Sequence, residues 1–191
     1  AVRAALAAGA PLQRAVRKDS SGYALAAWGA SGDLVDLLVG SEGTLALFTE
    51  VELALAPVPG ATASVLGVFP ALEAAVAAAT RAREAGASAC ELLDRTFLDV
   101  AAEGGAWRAP AGTEAVLLAE VEGADAGHAA DAAQQLRRAF LAAGAHEVTL
   151  ALTPRAEHAL WELRHAASPI LARLDPALKS MQFIEDGAVP P

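Results

Sequence analysis

Strand-like and helix-like segments alternate regularly between residues 62 and 152. Short apolar stretches rich in valine and leucine alternate with longer, alanine-rich stretches that end at glycines. Alanine is the strongest helix former and glycine commonly follows helix ends, so the longer stretches predict helices. The predicted strands are residues 62–69, 89–93, 115–121 and 146–152, and the predicted helices are residues 70–86, 95–102 and 125–143.

The order of these segments predicts an α+β fold. With the short helix over residues 95–102 set aside, the order is strand, helix, strand, strand, helix, strand, which is the split βαβ or ferredoxin-like arrangement. Its two long helices lie on one face of a four-stranded antiparallel sheet, and the apolar run over residues 115–121 predicts a central strand. We therefore predict a ferredoxin-like unit over residues 61–153, followed by a helix over residues 154–174 that Pro154 opens. Many functions use this fold, so it does not identify one.

The first sixty residues have a different organisation. Serine and glycine breakers predict an irregular stretch over residues 12–33, after which Asp33 caps a short helix over residues 34–39. Residues 45–55 place apolar side chains at alternate positions, which predicts a long half-buried strand. The Pro-Val-Pro-Gly segment at residues 57–60 closes this strand and predicts a domain boundary. The two predicted domains are residues 1–59 and 60–191.

The overall charge narrows the classes of function. The chain carries 14 lysines and arginines against 23 aspartates and glutamates, which gives a net charge of −9. Binding to nucleic acid or to an anionic membrane needs clustered cations, and the sequence has no such cluster. No apolar run is long enough to predict a transmembrane helix, and the first residues lack a signal-peptide pattern. We therefore expect a cytoplasmic protein, with peripheral membrane association left open.

The cysteine and the histidines predict no metal site. The single cysteine, Cys90, excludes an internal disulfide, fits a reducing compartment and is expected to be a small buried residue. Two histidines that bind one metal from a helix usually lie three or four residues apart, and no pair in this chain has that spacing. The histidines are His128, His146, His158 and His165.

The segment from Gly40 to Thr44, with the sequence Gly-Ser-Glu-Gly-Thr, is a candidate ligand-contacting turn. Two glycines let the backbone approach a ligand closely, and free N–H groups can then donate hydrogen bonds to it. The position of the turn between a predicted helix and a predicted strand suits nucleotide contact. From these residues alone, a tight turn without a ligand is the favoured interpretation.

A second candidate lies in the helix predicted over residues 154–174. Arg164 and Ser168 are four residues apart, so they share one face of that helix. The planar guanidinium of an arginine matches the two oxygens of a carboxylate, which makes Arg164 a candidate for binding an organic acid. An arginine in solvent at the helix edge is the alternative, and the spacing does not decide between the two.

Three parts of the chain resemble the FAD-linked oxidase family, which includes D-lactate dehydrogenases, glycolate oxidases and D-2-hydroxyglutarate dehydrogenase. One part carries Ser-Gly-Tyr at residues 21–23, the Gly-Ser-Glu-Gly-Thr-Leu turn at 40–45 and Pro-Val-Pro at 57–59. The other two are Leu-Trp-x-x-Arg at 160–164 and Glu-Asp-Gly-Ala-Val-Pro at 185–190. One departure is Ala46, where the family commonly has glycine.

The resemblance implies a role for each part. In the family, the first part lines the FAD site largely through its backbone, and the last borders the flavin and substrate cavity. The arginine contacts the substrate carboxylate, and a hydroxyl one turn later assists it. The implied cofactor-binding residues are Ser21, Gly22, Tyr23, Gly40, Ser41, Glu42, Gly43, Thr44, Glu185 and Asp186. The implied catalytic residues are Arg164, Ser168 and Lys179, and a surface lysine is the favoured alternative for Lys179.

The resemblance also implies an architecture and a reaction. It implies the C-terminal part of a PCMH-type FAD-binding domain, followed by the first part of a ferredoxin-like substrate domain. The complete protein would oxidise a 2-hydroxy acid to a 2-keto acid by hydride transfer to FAD, with the electrons leaving to an acceptor. The family's pyrophosphate loop precedes the residues matched here and its metal-binding histidines follow them. We therefore expect residues 1–191 alone not to retain FAD and to be inactive.

Two further expectations depend on the same resemblance. The doubled proline at the end of the chain is most similar to members fused to a C-terminal iron–sulfur region, so an iron–sulfur cluster is expected outside these residues. A homo-oligomer is compatible with the family. The competing interpretation is a non-enzymatic ferredoxin-like binding or dimerisation module, because composition and strand order alone allow it.

Overall fold

The computed structural model describes residues 22–103, 105 and 107–166, together with the single residues Ala4, Ile170 and Ala177. The chain divides into two compact units, and the division falls between Leu55 and Ala56. Every helix in the described part of the chain is too short or too polar to cross a membrane.

The described part of the first unit contains two short helices, α1 (Leu25–Ser31) and α2 (Leu34–Leu38). Helix α1 falls where an irregular stretch was predicted, so that prediction is wrong. Its leucine and alanines favour helix strongly enough to form two turns, and the breakers act only at its end, where Gly32 has a φ of 73°. The prediction that Asp33 caps the next helix is confirmed, because its side chain accepts a hydrogen bond from the Val35 N–H.

The strand predicted over residues 45–55 is not present, so this prediction is also wrong. The segment belongs to no strand, and its alternating leucines lie in solvent, with Leu47 90% and Leu55 91% exposed. Alternation predicts a strand only where a partner strand and an apolar surface are available to it. Neither covers this segment among the described residues.

The second unit is built around a four-stranded antiparallel sheet with the order β2-β3-β1-β4. The strands are β1 (Ala61–Phe69), β2 (Ala89–Asp94), β3 (Ala115–Gly123) and β4 (Glu147–Ala151). The helices are α3 (Leu72–Glu84), α4 (Arg95–Glu103), α5 (Ala126–Ala142) and α6 (Pro154–His165). The predicted α+β class and the split βαβ order are confirmed, and β3 occupies a central position with partners on both sides.

Several helix ends differ from the predictions in ways that local hydrogen bonds explain. Helix α3 begins after Ala71, so Pro70 lies outside the helix that it was predicted to open. Helix α6 is described from Pro154 to His165, and the Ala166 N–H bonds to the carbonyl of Leu163 at its end. Residues 167–169 and 171–174 of the predicted helix lie outside the described residues. Helices α3 and α5 both end in a Schellman motif, in which Gly86 and Gly144 take the left-handed position.

Each face of the sheet carries its own core. On one face, helices α3 and α5 pack through small alanines, and the rings of Phe69 and Phe140 meet edge to face at 5.9 Å. On the other face, helices α4 and α6 cover a second core that includes Leu66, Leu118 and Leu163. Helix α6, which carries Arg164, is therefore fixed to the face of the sheet opposite the two long helices.

Cys90 is exposed on β2, so the expectation of a buried cysteine is wrong. An edge strand has a neighbour on one side only, which leaves part of its surface uncovered. The protein around the thiol nevertheless removes water from it, and this desolvation is the main reason that its pKa is raised to about 11. The negative charge of Glu91 raises the pKa further in the same direction.

Candidate functional site

The turn from Gly40 to Thr44 has an unusual backbone. Gly40, Glu42 and Gly43 all have positive φ angles, of 76°, 49° and 75°. Glycine takes this conformation freely, whereas a glutamate does so at a cost, and such outliers concentrate at functional sites. Thr44 closes the turn, because its N–H and its Oγ1 donate to the Ser41 carbonyl at 3.0 and 2.6 Å.

Tyr23 joins the predicted Ser-Gly-Tyr segment to this turn. Its Oη lies 2.9 Å from Thr44 Oγ1, a contact that links residues 21 positions apart. Gly22, just before it, has a φ of 95° and open space around its α-carbon. The structure therefore brings Tyr23 and the turn together, as their shared assignment to one cofactor site requires.

Ser41 is the buried residue of the turn, with only 2% of its surface exposed. Among the described residues, its hydroxyl has no hydrogen-bond partner. A buried hydroxyl without a partner costs free energy, and native structures rarely leave one unless another group satisfies it. The turn thus offers a polar atom that a bound ligand could satisfy.

Arg164 lies in the last turn of α6 and reaches across to β2. Its Nε is 3.3 Å from Glu91 Oε2, and the side chains of the two residues are 44% and 41% exposed. This is its one ion pair within the described part of the chain. No second charged residue within the described part of the chain pairs with Arg164, and a guanidinium has five N–H donors, so donors remain for the two oxygens of another carboxylate.

A buried polar cluster docks α6 on the sheet, and we call it the α6 anchor. The Glu157 carboxylate, in a residue only 8% exposed, accepts hydrogen bonds from Ser64 Oγ at 3.1 Å and Thr62 Oγ1 at 3.2 Å. The Trp161 indole N–H donates to Ser64 Oγ at 3.0 Å. The members of the anchor are Thr62, Ser64, Glu157 and Trp161.

The α6 anchor was not predicted from the sequence, although two signals were present. Glu157, Trp161 and Arg164 follow a four-then-three spacing, which places all three on one side of a helix. Thr62 and Ser64 interrupt β1 with hydroxyls two positions apart, on one face of the strand. Neither pattern alone reveals that these two sets of side chains meet.

The other ion pairs among the described residues join side chains three or four positions apart. Arg95 Nη2 lies 2.9 Å from Asp99 Oδ1, and His158 Nε2 lies 3.4 Å from Glu162 Oε1. No three histidine, cysteine, aspartate or glutamate side chains in the described ranges are grouped so that they could hold a metal ion.

Five of the predicted site residues lie outside the described residues. They are Ser21, Ser168, Lys179, Glu185 and Asp186. The predicted site residues within the described part of the chain form two sets, one at the Gly40–Thr44 turn of the first unit and one at Arg164 in the second unit.

Comparisons with known proteins bear on both units. The family model described as "FAD linked oxidases, C-terminal domain" matches residues 58–191. Glycolate oxidase subunit GlcD of Escherichia coli K12 is 30% identical over 160 residues, which cover 83% of this chain and 31% of that protein. The GlcD of Bacillus subtilis 168 is 31% identical over 175 residues, which cover 91% of this chain and 34% of that protein.

A third relative has a different name. The D-lactate dehydrogenase of Anaerostipes hadrus is 31% identical over 159 residues, which cover 79% of this chain and 32% of that protein. The chain therefore spans about a third of the length of the relatives that it matches.

Proposed function

The chain belongs to the FAD linked oxidase family, and from this premise we propose that it is part of a flavoprotein that oxidises a 2-hydroxy acid to the 2-keto acid. The relatives that support the proposal are named for glycolate and for D-lactate, which are both small 2-hydroxy acids. The proposed domains are the C-terminal part of an FAD-binding domain over residues 1–59 and the substrate domain from residue 60 onwards. A 2-hydroxy acid and an electron acceptor are the proposed partners.

The proposal rests on the position and contacts of Arg164. Helix α6 fixes its backbone, Glu91 engages its Nε, and its terminal nitrogens face no other charged group among the described residues. A guanidinium that pairs with one carboxylate has further N–H donors, which suit the carboxylate that every 2-hydroxy acid carries. We assign Arg164 to binding that carboxylate, so that the hydroxyl-bearing carbon is held in one orientation. Ser168 and Lys179 are proposed to assist it.

The Gly40–Thr44 turn is the proposed cofactor contact of the first unit. Its two glycines with positive φ angles let a ligand approach the backbone closely, and the buried Ser41 hydroxyl has no hydrogen-bond partner among the described residues. These features fit a group rich in hydrogen-bonding atoms, such as FAD, and Gly22, Tyr23, Glu185 and Asp186 are proposed to border it. When bound, FAD supplies the hydride acceptor, and the protein supplies orientation.

The first experiment tests for the flavin itself. The full-length protein that carries these residues should be yellow when purified, and heat denaturation should release FAD that chromatography identifies. A colourless full-length protein without FAD would contradict the enzyme proposal and favour a non-enzymatic ferredoxin-like module.

The second experiment tests Arg164 in the same full-length protein. We expect Arg164→Ala to lower kcat/KM for the preferred 2-hydroxy acid at least about ten-fold, or ~1.4 kcal/mol, because the substrate carboxylate loses its cation. Arg155→Ala is the matched control, since Arg155 is an exposed arginine in the first turn of the same helix. Equal kcat/KM values for the two variants would show that Arg164 does not bind the substrate carboxylate.

A further inference from the structure

The contact between Glu91 and Arg164 joins two parts of the fold that are each held firmly. Glu91 lies on β2, where its backbone pairs with Leu118 of the central strand. Leu93 on the same strand face and Leu118 itself are 5% and 0% exposed. Arg164 lies on α6, which the α6 anchor and Leu163 dock on that face of the sheet. The two side chains therefore meet from rigid supports.

The pair adds little to stability as an ordinary salt bridge. Both side chains are more than two-fifths exposed, and the one charged contact is at 3.3 Å. Water screens such pairs, which commonly contribute little or nothing measurable to folding. Its consequence is geometric, because a carboxylate beside the guanidinium favours some of its orientations over others, while further N–H donors remain for a second carboxylate.

We propose that Glu91 is a positioning residue, which orients the guanidinium of Arg164 for the carboxylate of the substrate. The inference rests on the proposed function of Arg164. It adds a second residue, on a different element, to the determinants of substrate binding. Glu91 itself does not touch the substrate.

The test uses Glu91→Gln in the full-length flavoprotein. Glutamine keeps the length of the side chain and removes the charge that holds Nε, so the guanidinium samples more orientations. We expect KM for the 2-hydroxy acid to rise about ten-fold with kcat changed much less, because the arginine binds the carboxylate before and during reaction. Glu162→Gln is the matched control, since Glu162 lies on α6 but pairs with His158.

A double-variant cycle separates positioning from a direct effect. If Glu91 acts through Arg164, then Glu91→Gln should change KM in the native background and have almost no effect in Arg164→Ala. Melting temperatures of both variants should match that of the native protein, because the pair is exposed. A loss of melting temperature that accounts for the loss of activity would overturn the proposal.

The other outcomes are equally decisive. A lower KM in Glu91→Gln would overturn the proposal, because it would mean that Glu91 competes with the substrate for Arg164. Independent effects of the two substitutions would overturn it as well. If Arg164→Ala has no effect on kcat/KM, the proposed function of Arg164 fails; if Arg164→Ala is damaging and Glu91→Gln is not, the positioning role of Glu91 fails alone.

Discussion

Two residues at the start of α5, Asp125 and His128, interact through a hydrogen bond and an ion pair. Asp125 Oδ1 accepts a hydrogen bond from the His128 N–H at 3.0 Å and lies 2.8 Å from His128 Nδ1. The bond from the His128 N–H is the main reason that the pKa of Asp125 is lowered, and the Asp125 carboxylate in turn raises the pKa of His128. The sequence predicted a helix over residues 125–143. The structure adds that Asp125 is the N-cap of α5 and pairs with His128.

The signs of these two shifts define a pH window. Because the pKa of Asp125 is lowered in the folded protein, the ionised carboxylate contributes to folding stability. This contribution is present above the ordinary pKa of 3.8 and is lost as the pH falls through the folded pKa. Because the pKa of His128 is raised in the folded protein, the protonated imidazole contributes to folding stability. This contribution is present below the ordinary pKa of 6.5 and is lost as the pH rises through the folded pKa. The pair therefore supports the helix start most between these two ordinary values.

We expect Asp125→Ala to lower the pKa of His128 because it removes the hydrogen bond and the nearest negative charge, and an NMR titration of the imidazole protons would measure it. Asp131→Asn is the matched control, since Asp131 is the smallest contributor to the raised pKa. An equal fall in both variants would contradict the assigned cause.

At the scale of elements, helix α6 shows where local sequence stops being informative. Its start was predictable, since Pro154 suits the first helical turn, and the structure adds that Thr153 Oγ1 accepts from the Ala156 N–H. Its docking was not, because the Glu157–Ser64 contact joins residues 93 positions apart. The direction in which α6 presents Arg164 therefore depends on a strand in another part of the chain.

We expect Ser64→Ala to lower the free energy of unfolding by about 1–3 kcal/mol, because it leaves the buried Glu157 carboxylate and the Trp161 N–H without a shared partner. Urea denaturation followed by tryptophan fluorescence would measure the change. Ser88→Ala is the matched control, since the Ser88 hydroxyl bonds Glu120 at an exposed site. Equal losses of unfolding free energy in the two variants would show that the α6 anchor stabilises the fold no more than an exposed hydrogen bond does.

At the scale of the whole molecule, the two units differ in how far the sequence alone predicts them. Residues 58–191 match the family's C-terminal domain, and the ferredoxin-like order of strands and helices was predicted correctly. In the first unit, α1 was missed and the strand over residues 45–55 was wrongly predicted. The family motif at the turn was nevertheless recognisable, because the turn requires positive φ angles, which glycine adopts freely.

Residues 1–191 alone should bind FAD only weakly. We expect affinity weaker than micromolar, because the turn and its neighbours offer few contacts against the cost of ordering a long dinucleotide. Isothermal titration of FAD into the purified chain would measure it, with the full-length protein as the reference. Sub-micromolar binding to residues 1–191 would show that these residues suffice for the cofactor.

The elements of the second unit, their order and the glycine-rich turn are predictable from local sequence, because periodicity, helix propensity and capping all act over a few neighbouring residues. Which alternating stretch forms a strand depends on long-range pairing, since residues 61–69 pair on both sides while residues 45–55 pair with no described strand. The tertiary structure also decided that Ser64 meets Glu157 and that Glu91 meets Arg164. Such contacts depend on sheet register and helix docking, which no local pattern encodes.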